Sequence, residues 1–271
     1  MFVPFSKSDG ILDREPFIND EVCANPIHRI ADEPDSKLLV DDTGNIICAY
    51  SPKLPAWIWV SPEITGYELR KKLAYLAQVL YEAGVRKTLS NPDIAAEFAL
   101  FYSLKTELKY KTTMMLYANS CKELKKPNIP EGKVINATFA YTEKVAEFCT
   151  DFWKETIHGP VGLDATTRSA ESMIDRGDLY LWSVNGEIVS MANIIYRSPR
   201  HGRINSIYTA PQYREKGYGA ALVYSLCKRL VGEGLIPILF TDRNNKNMNT
   251  ITKELGFTID GSVDEVTYFK A

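Results

Sequence analysis

The stretch Ile207-Tyr-Thr-Ala-Pro-Gln-Tyr-Arg-Glu-Lys-Gly-Tyr-Gly-Ala-Ala221 decides how the second half of the chain is read. It runs from an apolar strand end, through a proline that forbids a regular ladder, into a cationic loop with two glycines, and on into a helix. That order describes an anion site. A helix N-terminus offers unpaired N–H groups and a partial positive charge. Glycines at 217 and 219 let phosphate oxygens approach the backbone, and Arg214 and Lys216 add charge beside them. Two other phosphate motifs are excluded. A P-loop needs Lys and then Ser or Thr after its last glycine, where Ala220 and Ala221 stand. A dinucleotide fingerprint needs glycine or alanine three positions after Gly219, where Leu222 stands.

Working outward, the pattern predicts a strand over Val134–Thr138 and a helix opening at Thr142. Val145, Phe148, Cys149, Phe152 and Trp153 share one face of that helix, which ends at His158-Gly159-Pro160. A shorter helix follows from about Asp164 to Ile174. Strands Leu179–Val184 and Glu187–Tyr196 flank Asn185-Gly186, a strong hairpin signal. Then come a strand to Thr209, a helix over Gly217–Val231, a strand over Pro237–Thr241, a helix over Asn247–Leu255 stopped by Gly256, and a last strand over Val266–Phe269.

These residues resemble the GNAT superfamily of acyl-CoA-dependent N-acyltransferases. The family signature, Arg/Gln-x-x-Gly-x-Gly/Ala at a strand-to-helix turn, is met by Arg214, Gly217 and Gly219. The helix ending Leu255-Gly256-Phe257 and the element order also match, over about half the chain. The resemblance implies an α+β GNAT fold with acetyl-CoA as co-substrate and no metal. It implies that backbone N–H groups of Arg214, Glu215, Lys216, Gly217, Tyr218, Gly219 and Ala220 hold the pyrophosphate. Ile207 and Thr209 would pair with the pantetheine amides, and the N–H near Tyr208 would polarise the thioester carbonyl. Asn249 and Asn245 match positions that touch the CoA arm. Two departures stand out. The tyrosine acid of many members is replaced by Thr252, and the carboxylate base that some members carry at the start of the signature strand by Arg203. Thr252 is therefore expected to be minor, with Tyr208 or an ordered water protonating the sulfur. His158, at the end of the first helix, is the acceptor-side candidate.

The first half carries a fainter copy. Two strands flank Asp41-Asp-Thr-Gly-Asn45, Trp57–Val60 forms a third, and Pro62 leads through Gly66-Tyr67-Glu68 to a helix with Leu69, Leu73, Leu76 and Leu80 on one face. The order strand, proline, Gly-Tyr, helix repeats that around Pro211 and Gly217-Tyr218. In this copy Glu68 replaces the second glycine and Glu63 the arginine. Two carboxylates facing a pyrophosphate would cost several kcal/mol, so this half is read as a degenerate, CoA-silent copy serving as scaffold or as a wall of the acceptor site. The turn-rich Pro127-Asn-Ile-Pro-Glu-Gly-Lys133 separates an expected first domain, 1–126, from a catalytic domain, 134–271.

The remaining features narrow the function classes. In 271 residues the net charge is -2, and neither half is strongly basic, so nucleic acid is not the expected partner. No apolar stretch approaches membrane-spanning length, and Met1–Glu15 lacks a signal-peptide pattern. Five cysteines without C-x-x-C spacing suggest reduced thiols in the cytoplasm. His28, His158 and His201 share no metal-ligand spacing. The expected activity is acetyl transfer to an amine of a small molecule or peptide. An aminoacyl- or longer-acyl transferase and a non-catalytic acyl-CoA-sensing module are the alternatives.

Overall fold

The computed structural model describes residues 1–157 and 162–270. These form two compact units, one of residues 1–119, 240–246 and 259–271, the other of residues 120–239 and 247–258.

In the first unit, β1 (Phe2–Pro4) leads through short helices α1 (Glu21–Ala24) and α2 (Pro26–Ala31) to β2 (Lys37–Asp41), β3 (Ile46–Ser51) and β4 (Leu54–Val60). The four strands pair antiparallel in that order. Helix α3 (Gly66–Glu82) then carries the chain to β5 (Lys87–Ser90), which lies parallel to β4. Helix α4 (Pro92–Thr106) and β6 (Lys109–Ser120) follow, in a region for which the sequence pattern predicts no element. Leu69, Leu73, Leu76 and Leu80 are buried on α3, as their spacing requires. The Asn91 side chain caps α4 by accepting from the Ile94 N–H at 3.0 Å, with Pro92 in the first turn.

The second unit repeats this scheme. Strands β7 (Lys133–Asn136), β8 (Leu179–Val184), β9 (Glu187–Arg197) and β10 (His201–Thr209) pair antiparallel in order. Helices α5 (Thr142–Ile157) and α6 (Leu163–Asp175) lie between β7 and β8 in sequence. Helix α7 (Tyr218–Gly232) crosses to β11 (Ile236–Asp242), parallel to β10, and α8 (Lys246–Glu254) precedes the final strand β12 (Thr258–Phe269). The Asn185-Gly186 turn has both residues at positive φ, 50° and 87°, as a tight hairpin turn demands. Each unit has a core on both faces of its strands. Those of the first unit pack α3 and α4 on one side and α1 and α2 on the other. In the second they pack α7 and α8, and α5 and α6.

Two expected boundaries shift. The catalytic domain is expected to end with the chain, yet β12 from Ile259 onward belongs to the first unit. It pairs antiparallel with β5, from Asp264 opposite Ser90 to Thr267 opposite Lys87. Val266 and Tyr268 are buried in the first unit's core, where the Tyr268 ring lies 4.0 Å from that of Tyr102. Residues 127–133, expected as a linker, are part of the second unit. Gly132 sits so close to β8 that a Cβ there would lie 2.4 Å from the Trp182 indole nitrogen, which itself donates to the Glu131 carbonyl at 3.1 Å. Among the described residues, no helix is long and apolar enough to cross a membrane.

Candidate functional site

The signature strand is irregular where the sequence places the chemistry. Along β10 the register against β9 slips between Asn205 and Tyr208, and Ser206 adopts φ 50°. The parallel pairing with β11 runs from His201 opposite Ile236 to Ile204 opposite Leu239 and stops, although β10 continues to Thr209. The last residues of β10 therefore have one paired edge and one edge that β11 leaves open. The Tyr208 carbonyl accepts from the Ser190 hydroxyl at 2.8 Å, and the Ala210 N–H donates to Val189 at 3.1 Å. Tyr208 and Ala210 thus face β9, and strand alternation turns the Thr209 backbone to the open edge. The backbone amide turned to that edge is that of Thr209, the neighbour of Tyr208.

Beyond the strand, residues 210–217 form the turn into α7. Pro211–Tyr213 makes a single 3-10 turn. Glu215 (φ 64°) and Gly217 (φ 81°) then adopt left-handed conformations on either side of Lys216. The first α7 N–H to reach a backbone acceptor is that of Ala221, which donates to the Gly217 carbonyl at 2.9 Å. Among the described residues, no backbone acceptor engages the N–H groups of Glu215 to Ala220 from outside the helix. Left-handed residues in such a turn converge successive N–H groups into an anion-binding nest, here continuous with a helix N-terminus. The donor set fits a pyrophosphate. Arg214 departs from expectation, because its own N–H is spent on the Pro211 carbonyl at 3.2 Å.

The two glycines do different work. Gly217 needs its left-handed φ, since a Cβ there would have room, its nearest neighbours being Asn128 and Pro130 at 3.9 Å. Gly219 needs space, since a Cβ would meet the Thr209 Oγ1 at 2.9 Å. It allows the first turn of α7 to sit against the end of β10, a packing role that a purely phosphate-based reading does not include.

The Arg214 guanidinium turns away from the nest. Its Nε donates to the Thr209 carbonyl at 2.9 Å and its Nη2 pairs with Glu155 on α5 at 2.6 Å. It also lies over the Tyr208 ring, 5.5 Å from the centroid. Lys216 is exposed in the same turn, its ammonium over the Tyr213 ring at 5.4 Å. Tyr208 is buried, packed against Phe148 of α5 at 5.3 Å, with its hydroxyl 3.5 Å from an Asp151 carboxylate oxygen. Burial first, then the nearby carboxylates of Asp151 and Glu155, push its phenol up to about 12.

Asp151 and Glu155 are not among the residues the sequence pattern singles out. They sit four residues apart on α5, a spacing that places both on one helix face, and this is the signal that could have found them. Thr252 is buried in α8, and its hydroxyl donates to the Asn249 carbonyl of the same helix at 3.1 Å. Asn249 is half-buried in the second unit, whereas the exposed Asn245 falls in the 240–246 segment of the first. Tyr218 and Ile207 are half-buried against the α7 core, and Ala220 lies in the first turn of α7. His158 lies outside the described residues. His28 is buried and pairs with the equally buried Glu21 at 2.8 Å, a structural contact. Among the described residues, no three His, Cys, Asp or Glu side chains are grouped to hold a metal ion.

In the first unit the corresponding turn spans only residues 61–65. Gly66 again has positive φ, 65°. The Glu63 N–H is taken by the Ser61 hydroxyl at 3.1 Å and that of Ile64 by the Ser61 carbonyl at 3.3 Å. Glu63 and Glu68 are both exposed at this turn.

The sequence profile of the acetyltransferase (GNAT) family matches residues 145–257. No curated protein matches the chain. Solved structures share its fold at low identity. A GNAT-family acetyltransferase from Colwellia psychrerythraea is 15% identical with a TM-score of 0.59, covering 100% of both chains. A GCN5-related N-acetyltransferase from Sphaerobacter thermophilus is 14% identical with a TM-score of 0.61, covering 100% of this chain and 96% of its own. A tandem GNAT protein from the clavulanic acid biosynthesis pathway is 12% identical with a TM-score of 0.54, covering 99% of this chain and 98% of its own.

Proposed function

With a GNAT-family acetyltransferase domain at residues 145–257 as the premise, we propose that the second unit transfers an acetyl group from acetyl-CoA to an amine. The observation that carries this reading is the nest of free N–H groups from Glu215 to Ala220 beside a strand whose edge is open at Thr209. Acetyl-CoA supplies an activated thioester whose carbonyl carbon accepts the amine lone pair as the carbon–sulfur bond breaks. The nest holds the pyrophosphate, and Lys216 adds charge at its rim. The Ile207–Thr209 edge aligns the pantetheine arm, and an amide there stabilises the developing oxyanion.

Asp151 puts a carboxylate on the α5 side of β10 that draws a protonated amine toward it, while Glu155 is engaged by Arg214. Asp151, whose side chain is 39% exposed, receives the proton the amine must shed before attack. The leaving sulfur needs no dedicated acid. A thiol titrates near ~8.5, so a thiolate departs readily and water returns its proton. Tyr208, pushed up to about 12 and buried, is a poorer donor than water-accessible groups. The five cysteines are free thiols, which supports a reducing compartment, the cytoplasm.

The test is calorimetry with acetyl-CoA on the full chain, followed by turnover across a panel of small amines and peptides. One CoA site per chain and turnover reduced by Asp151→Asn, through a lowered kcat as well as a raised KM for the amine, are expected. Binding without turnover of any amine would favour a sensing module. Preference for longer acyl or aminoacyl donors would move the reading to that transferase class.

A further inference from the structure

The first unit, though its turn lacks a phosphate nest, holds a cavity of about 160 Å³ at the end of β4. It lies on the α1 and α2 side of the strands. Trp57 and Trp59, two residues apart on β4, project to that side and join its core. Both rings are held. Trp57 stacks on Phe240 at 6.0 Å, and Trp59 meets Phe17 edge-on at 5.4 Å while its indole N–H donates to Asp20 at 3.3 Å. Cys23 of α1 and Gly261 of β12 close another wall, where a Cβ at Gly261 would stand 2.5 Å from the Cys23 sulfur.

The charge around this cavity is one-sided. Asp20 and Asp260 line it, and among its described lining residues there is no lysine, arginine or histidine. Both carboxylates are exposed to solvent at the cavity's rim. Their shared field is felt inside, since burial and then Asp20 and Asp260 push the Cys23 thiol up to about 12. Two of the other polar lining groups, Ser90 and Asn91, are already engaged. The Ser90 hydroxyl donates to the Ile58 carbonyl at 2.7 Å, and Asn91 caps α4.

We infer that this cavity is a second binding site, for a small organic cation with an ammonium head and a short apolar body. Two indole rings, an aromatic type that attracts cations, line the cavity, and two carboxylates at its mouth, with no basic residue in the described lining, supply the counter-charge. The volume suits a ligand of that size, since an apolar cavity of about 150 Å³ accommodates a six-carbon ring. Fixed aromatic walls make the site preformed, which lowers the ordering cost of binding. The inference stands on the first unit alone and does not depend on acetyl transfer in the second.

The test titrates n-butylammonium into the full-length chain, followed by calorimetry and tryptophan fluorescence, with n-butanol and butyrate as controls of equal shape. Saturable binding of the ammonium, with neither control binding, is expected. Asp260→Asn should weaken it about fivefold, in line with loss of one exposed charge pair, and Asp20→Asn combined with Asp260→Asn should weaken it about 25-fold. Both residues are exposed, so the fold is expected to survive, and a thermal melt checks this. Asp151→Asn separates this site from the proposed acceptor site and should leave the titration unchanged. No saturable binding, equal binding of n-butanol, or a titration insensitive to both aspartates would overturn the inference.

Discussion

The turn from β4 to α3 and the turn from β10 to α7 occupy the same place in two copies of one topology, and they differ in what their backbone leaves free. Both enter the helix through a Gly-Tyr pair, and Gly66 and Gly217 share a left-handed φ. The β10 turn has eight residues, 210–217, with left-handed Glu215 and Gly217 holding N–H groups open. The β4 turn has five, 61–65, and Ser61 takes up two of its N–H groups. Under the proposed function, the longer turn keeps its amides available to a pyrophosphate, whereas the shorter one spends two of them on Ser61 and carries exposed Glu63 and Glu68.

The comparison breaks most visibly if the chain is cut. Because β12 completes the first unit, fragments 1–126 and 134–271 are each expected to lack cooperative unfolding in a circular-dichroism melt. A cooperative transition in fragment 1–126 would show that β12 is dispensable. Next in size, Gly219→Glu places a carboxylate over the nest and a side chain against Thr209. Acetyl-CoA affinity should fall by about 10³-fold or more, with the melting temperature recording how much of the loss is structural. Retained affinity would remove the nest from the CoA site.

The equivalent hairpins sharpen the contrast. The β8–β9 hairpin closes on Asn185-Gly186, whereas the β2–β3 turn is pinned by buried Asp41. That carboxylate accepts from the Ile46 N–H at 2.8 Å, from Thr43 at 2.6 Å and from Lys72. Burial alone would raise its pKa, but the hydrogen bonds from Lys72, Thr43 and the Ile46 amide hold it below the ordinary 3.8. Its contribution to stability is complete above that value and is lost as pH falls through the lower folded value. Asp41→Asn should cost about 1–3 kcal/mol at neutral pH and flatten the acid limb of the stability profile below pH 3.8. An unchanged acid limb would place the pH sensitivity elsewhere.

Smaller effects are expected from the proton-transfer candidates. Tyr208→Phe and Thr252→Val should each change kcat less than about fivefold, well short of the ~10²–10⁴ typical of a lost general acid. A hundredfold loss in either would assign it the proton. The smallest effect is the most informative about the first unit. Glu63→Arg with Glu68→Gly restores the signature residues there without lengthening the turn, so calorimetry should still count one CoA site per chain. A second site would mean that charge, and not the turn, had silenced this copy.

The sequence by itself determined the second unit's element order, from the periodicity of Val145 to Trp153, the Asn185-Gly186 turn and the Gly217-x-Gly219 helix entry. Short-range signals sufficed because each element's pattern lies within its own residues. It also exposed the repeat, through Gly66-Tyr67 and Gly217-Tyr218. Tertiary structure alone decided what depends on neighbours distant in sequence. Arg214 turned to Glu155, 59 residues earlier, instead of to the nest. Glu215 took a left-handed conformation that side-chain identity disfavours. Asp151 met Tyr208 only once α5 had docked on β10. The last strand went to the first unit because Val266 and Tyr268 fit a core built around Tyr102, a choice of partner that an apolar run in the sequence leaves open.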